Sequence, residues 1–320
     1  MIYRKAILLS VITIFSITAC ESSDVSSTQS STSLFSEPWN SGLDAAEADF
    51  QIQQIDPNTF AIRQSLHTTF EAPFLYLIFG ADKVILIDTG VEGVDLRSIV
   101  DQQIEDWLLE NDKEKISLIV AHSHAHGDHV GGDDGFSDRP DTVVVGHKME
   151  DIAEFFEIDA WPVNTKAVDL GDRVVDILPT PGHHDSHIMI YDRTTDILFS
   201  GDTIYPGRIY FRCGNTAELK ASIDRIANFS KTNNIRWVLG AHIEMTTEPG
   251  QSFQSEDRAR QNEHALELQP GIINEMHAAL GAMIDAPRVE SFDEFVLFPI
   301  PADPRGKTPP DWCKADNASE

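Results

Sequence analysis

Cysteine is nearly absent from this chain: three residues among 320, at Cys20, Cys213 and Cys313. That excludes a disulfide-dense scaffold and a zinc knuckle of closely spaced thiolates. Cys213 and Cys313 can pair if the chain is exported, and their separation in sequence leaves the question open. Positive charge is also scarce. Lys and Arg number 24 against 52 Asp and Glu, a net charge of −28. A field of that sign repels phosphate backbones, so nucleic acid is a poor partner. No internal repeat is evident, which leaves no sign of a solenoid. The apolar stretch from Ala6 to Ile17 is too short for a comfortable membrane span.

That stretch follows Arg4 and Lys5 and precedes the small residues Thr18 and Ala19. This is the layout of a secretory signal peptide. Ile17-Thr18-Ala19-Cys20 resembles a bacterial lipobox, which implies cleavage before Cys20 and a lipid-modified first residue. A plain signal peptide, or an uncleaved anchor with an incidental Cys, is the alternative. The expected organisation is a leader over 1–20, a Ser-rich tether over 21–45, one domain over 46–300 and a loosely ordered polar tail over 301–320. The lipid would hold an exported protein to the cell envelope, and Glu21 in place of an Asp retention signal leans toward the outer membrane.

From Asp49 the pattern turns to short strands. Phe50–Gln53 alternates, Phe60–Leu66 follows a Pro57-Asn58 turn, and Phe74–Phe79 and Lys83–Ile87 flank a hairpin signal at Gly80-Ala81-Asp82. Apolar residues at helical spacing predict a helix over 94–110, and Leu219, Ile223 and Ile226 predict another. Ile272, Ile273, Met276, Leu280, Met283 and Ile284 predict a long one after Pro270-Gly271. Continuous apolar runs at Ile116–Ala121, Thr142–Val145, Val174–Leu178, Ile188–Tyr191, Ile197–Phe199 and Trp237–Leu239 read as buried strands. Strands that lead and then mix with helices fit an α+β fold of stacked sheets with helices outside.

The chemistry concentrates in His122-Ser123-His124-Ala125-His126-Gly127-Asp128-His129. Imidazole nitrogen and carboxylate oxygen are natural zinc ligands. In extended chain, residues i and i+2 share a side, so His124 and His126 can grip one metal. Asp128 and His129, past a glycine, can swing to a second. His183, Asp202 and His242 each follow an apolar strand, where sites gather on such scaffolds. A surface His tract is the bland alternative.

His124-Ala125-His126-Gly127-Asp128-His129 resembles the HxHxDH signature of the metallo-β-lactamase superfamily, and His183, Asp202 and His242 match its later ligands in order and context. Asp88-Thr89-Gly90 matches its Asp-Thr-Gly turn. The resemblance implies an αββα sandwich with two zinc ions at one sheet edge. His124, His126 and His183 would hold one zinc and Asp128, His129 and His242 the other, with Asp202 as the bridge. It further implies a hydrolase in which a metal-bridging hydroxide attacks a carbonyl, with Asp128 orienting the nucleophile or moving its proton. Asp88 is a candidate partner for a ligating imidazole, or simply a turn residue. His187 is a candidate for the same supporting role. His122 is expected behind the site, and His67, His147, His264 and His277 at ordinary surface or packing positions.

Asp202 departs from true β-lactamases, which have Cys or Ser at the corresponding place, and resembles the thioesterase, lactonase and phosphodiesterase branches. Tyr205, three residues later, stands where related lactonases place an oxyanion donor. A glutathione thioesterase fits less well, because 253–300 offers only Arg258, Arg260 and Arg288 as Lys or Arg. The expected substrate is therefore a small lactone, ester or thioester, with a β-lactam second. An inactive zinc-binding module and a purely structural zinc site are the other readings.

Overall fold

The computed structural model describes residues 33–309 and 312–315, so the predicted leader, Cys20 and the start of the tether lie outside the described residues. Two six-stranded sheets form the molecule's centre. The first runs in the order β1 (Phe50–Asp56), β2 (Thr59–Gln64), β3 (Phe74–Phe79), β4 (Lys83–Ile87), β5 (Ser117–Ala121), β6 (Thr142–Val144). The second contains β7 (Lys166–Asp169), β8 (Val174–Pro179), β9 (Ile188–Asp192), β10 (Ile197–Gly201), β12 (Trp237–Gly240) and β13 (Glu267–Leu268), in the order β13-β12-β10-β9-β8-β7. A small third sheet joins β11 (Arg208–Arg212) to β15 (Val296–Ile300) and β14 (Glu290–Ser291).

Alternation along the strands explains the layers. Phe74, Tyr76 and Ile78 of β3 face Ile177, Ile190 and Phe199 of the second sheet across the inner core. Leu75, Leu77 and Phe79 face outward and pack on α1 (Leu96–Glu110). That helix is the crossover that the parallel pairing of β4 with β5 requires, and Asp95 caps it by accepting from the Ser98 N–H at 3.1 Å. On the far side, Met189, Leu198 and Val238 meet α4 (Thr216–Phe229) and α5 (Gly271–Met283). The shorter helices α2 (Gly127–Val130) and α3 (Met149–Phe155) lie in the connections around β5 and β6. The result is the αββα sandwich expected from the sequence. No helix among the described residues is long and apolar enough to cross a membrane.

The two halves are joined at both ends of their strands. At one end the buried Arg173 guanidinium bridges them, donating to Asp192 at 2.5 Å and to the Phe79 carbonyl at 3.2 Å. At the other, the Phe74 N–H donates to the Ala241 carbonyl and the Tyr76 hydroxyl to the Gly240 carbonyl. The predicted ligands all lie at this second end.

Two boundaries differ from expectation. The tether packs against the domain from Ser33 on, because Phe35 is buried and Trp39 meets the Phe74 ring edge-on at 4.9 Å. The tail is not loose over 312–315. Cys313 forms a disulfide with Cys213, and the Trp312 indole donates to the Pro299 carbonyl.

Candidate metal centre

The segment after β5 leaves the sheet at Ala121 and turns through α2, which carries His124, His126, Asp128 and His129 past the strand end. β8, β10 and β12 deliver His183, Asp202 and His242 to the same place from the second sheet. Gly201 permits the turn at Asp202: its φ is +51°, and a Cβ there would lie 2.7 Å from Ser123 Cβ and 2.8 Å from His187 Nε2.

The seven residues form two groups. In the first, His124 Nε2 lies 2.8 Å from His126 Nδ1, and His183 Nε2 lies 3.1 and 3.0 Å from those two atoms. In the second, Asp128 Oδ2 lies 3.3 Å from both His129 Nε2 and His242 Nε2. Asp202 spans both. Its Oδ1 is 3.4 Å from His129 Nε2 and 3.2 Å from His242 Nε2, while Oδ2 is 3.6 Å from His183 Nε2 and 3.9 Å from His124 Nε2.

Supporting hydrogen bonds fix how these rings point. His129 Nδ1 donates to Asp88 Oδ2 at 2.8 Å, His183 Nδ1 to the Tyr210 carbonyl at 2.6 Å, and His242 Nδ1 to the Glu71 carbonyl at 2.9 Å. A proton held on Nδ1 leaves the Nε2 lone pair aimed into the site. Asp88 also accepts from the Ser123 N–H and hydroxyl, at 2.6 and 2.8 Å. Asp88 sits at φ +67°, an uncommon conformation for a non-glycine residue. His187 accepts from the Asp202 N–H at 3.2 Å and lies 2.8 Å from the Thr180 hydroxyl, so it braces the loop that carries Asp202.

Electrostatics divide the groups. Burial, then the neighbouring imidazoles, hold His124 well below the ordinary histidine range, and the same causes lower His126 to about 4. Both are neutral, with lone pairs available. In the second group burial opposes charge, but Asp128 and Asp202 overcome it and raise His129 and His242, while both carboxylates are lowered.

The donor set fits a pair of metal ions. His129 Nε2 and Asp202 Oδ1 are buried with no hydrogen-bond partner although they face one another's group, an arrangement that is costly unless a cation shares them.

Tyr205 corrects the sequence reading. It is buried, and its hydroxyl donates to the Arg208 carbonyl and lies 3.3 Å from Glu244 Oε2. The turn at Gly207 brings that carbonyl back over the ring, so the phenol has no free proton for an oxyanion. Other histidines fall apart from the two groups. His122 lies behind the site as expected, 2.8 Å from Asp133, and His147, expected at the surface, meets the same carboxylate at 2.5 Å. Glu71 and Tyr210 were not legible, because each contributes a backbone carbonyl that leaves no mark in side-chain chemistry. Ser123 had one available signal, its place inside the His-rich run.

An α+β sandwich with histidines and aspartates gathered in two groups at its strand ends defines a metallo-hydrolase type of scaffold. The profile of the metallo-beta-lactamase superfamily matches residues 68–227, 160 of the 320 residues, and the chain belongs to that superfamily. It is similar to the acyl-coenzyme A thioesterase MBLAC2 of Homo sapiens, 26% identical over 187 residues, covering 47% of this chain and 64% of that one. It is also similar to a hydroxyacylglutathione hydrolase of Shewanella denitrificans, 31% identical over 169 residues, covering 50% of this chain and 58% of the other. The matches thus span under two thirds of either relative's length. A metallo-beta-lactamase of Pontibacter korlensis superimposes with a TM-score of 0.47 and 15% identity, over 72% of this chain and 99% of that one.

Proposed function

We propose that the protein is a two-zinc hydrolase that cleaves a small acyl compound, a thioester or ester first and a lactone second. The observation that carries this reading is Asp202, one carboxylate with an oxygen toward each donor group. His124, His126 and His183 would hold one ion, Asp128, His129 and His242 the other, and Asp202 both. Bound metal supplies two things there: a more acidic water molecule and a sink for charge on the acyl oxygen. The chain's own part is to keep the imidazole lone pairs aimed inward and to take a proton. Asp128, held anionic by His129 and His242 despite burial, is placed to orient the attacking water and pass on its proton. Oxygen then bonds to the acyl carbon, and the thiolate or alkoxide leaves with the electron pair of the broken bond. Thioester moves ahead of lactone because the named relatives are thioester hydrolases and the Tyr205 hydroxyl is engaged elsewhere.

The test is metal content by mass spectrometry together with proton release on thioesters, esters, lactones and β-lactams, with Asp202→Ala alongside. Two ions per chain and thioesterase activity at least ~100-fold lower in the variant are expected. β-Lactam turnover alone would sink the acyl-ester reading. Two bound ions with no turnover on any class would favour an inactive zinc module.

Export with lipid attachment at Cys20 is part of the same proposal. The Cys213–Cys313 disulfide supports it, since such bonds persist in oxidising compartments. Palmitate labelling that survives Cys20→Ser would refute it.

A further inference from the structure

A cavity of about 520 Å³ opens beside the first histidine group. Ala125, between two of the donors, and His184 line it, and the His184 ring lies 5.0 Å from that of His126. Its volume falls in the range of small-molecule sites. Two kinds of residue form its wall. Met149, Trp161, Pro162 and Pro181 supply apolar surface, and Glu150, Asp185 and Glu218 supply three carboxylates. Lys148 is the only Lys or Arg in the lining. All three carboxylates are solvent-exposed, and none makes a hydrogen bond or salt bridge among the described residues. Burial, then the charge of Asp185, raises the Glu218 carboxyl against a smaller opposing pull from Arg225, which lies outside the lining.

A group reaching this space meets the Trp161 side chain and three solvent-exposed carboxylates. An anion is repelled. A neutral apolar group gains contact with Trp161 and Met149. A cation gains that contact and attraction to the carboxylates. We propose that this cavity is the subsite for the substrate beyond the scissile bond, and that it selects an apolar group bearing an ammonium charge. The proposal rests on the acyl-hydrolase reading and narrows it. The chain would favour a thioester whose chain ends in a cation and disfavour one whose chain ends in a carboxylate. Trp161, Asp185 and Glu218 are then the specificity-determining residues.

The test uses zinc-loaded protein and three thioesters of one chain length, ending in trimethylammonium, tert-butyl or carboxylate. The expected order of kcat/KM is cation, neutral, anion, with at least ~30-fold between the ends. In Asp185→Asn/Glu218→Gln the cation-to-neutral ratio should collapse toward one. Equal rates on all three in the unmodified protein, or a preference for the anion, would overturn the proposal. If no thioester is turned over, the hydrolase reading fails, and the subsite is judged by binding alone. Benzyltrimethylammonium should then quench tryptophan fluorescence saturably, and Trp161→Leu should abolish the saturable part. No saturable quenching would overturn the subsite. So would displacement of the probe by micromolar Ca²⁺ or Mg²⁺, which would assign the cavity to an inorganic cation.

Discussion

Replacing Asp88 by Asn should weaken binding of the second metal while sparing the first. The substitution keeps shape and volume, and Asn tolerates the positive φ of this position well. It does not keep the hydrogen-bond pattern. Asp88 Oδ1 accepts from the Ser123 N–H and Oδ2 from the Ser123 hydroxyl and His129 Nδ1. The single carbonyl oxygen of an amide can replace only one of these two carboxylate oxygens. With it kept on the Ser123 N–H, the amide NH2 faces His129 Nδ1, donor against donor. The imidazole escapes by moving its proton to Nε2, the atom aimed at Asp128 and Asp202. A protonated Nε2 cannot bind metal. Loss of such an outer partner costs about 10- to 100-fold in metal affinity, or roughly 1.4–2.8 kcal/mol. The first group touches Asp88 only through the Ser123 hydroxyl, which lies 3.1 Å from His124 Nδ1, and His183 is oriented by the Tyr210 carbonyl. Chelator competition or calorimetry should therefore show two equivalents that bind as one strong and one weakened. Unchanged affinity for both equivalents, with the fold intact by circular dichroism, would refute the tautomer argument.

Tyr205→Phe should change kcat by less than ~3-fold, because the lost hydroxyl serves the Arg208 carbonyl; a 100-fold loss would restore the oxyanion role. Reducing the Cys213–Cys313 disulfide, which closes a separation of 100 residues, should lower stability by about 2–5 kcal/mol in urea unfolding; an unchanged midpoint would show that the tail is held by other contacts. Asp192→Asn should cost about 3–5 kcal/mol by leaving the buried Arg173 without its carboxylate. Burial pushes the Asp192 carboxyl up, but Arg173 and Thr195 draw it below its ordinary value. Its contribution is thus whole above about pH 4, the unfolded value, and is lost as pH falls toward the lower folded value. Wild-type acid unfolding should steepen there, and the variant should lack that component.

The candidate metal-binding cluster was legible because its chemistry is local: His124 to His129 lie within six residues, and the other three candidate donors each follow an apolar strand. β3 could be read from the chain as one arm of a hairpin, and α1 from its apolar spacing. Other features depend on partners far along the chain. β11 pairs in parallel with β15, so Arg208–Arg212 gains its strand character from Val296–Ile300. β7 and α3 are short and partly exposed, which leaves little periodicity to detect. The direction of the Tyr205 hydroxyl is set by Glu244 and by the turn at Gly207, neither of which its sequence neighbourhood announces. Phe35 and Trp39 were hidden in a Ser-rich context whose composition suggested a tether.

The site draws donors from both sheets: His124, His126, Asp128 and His129 follow β5, whereas His183, Asp202 and His242 follow β8, β10 and β12. Any ion shared between them acts as a clasp on a book whose spine is Arg173 at the opposite strand ends. Metal supply then governs more than chemistry. An ion present at 100 times its dissociation constant adds about 2.7 kcal/mol to the folded state, a large share of what keeps a domain of ordinary stability closed. A cell starved of metal would hold a chain that is looser as well as idle, and therefore one that its proteases remove first.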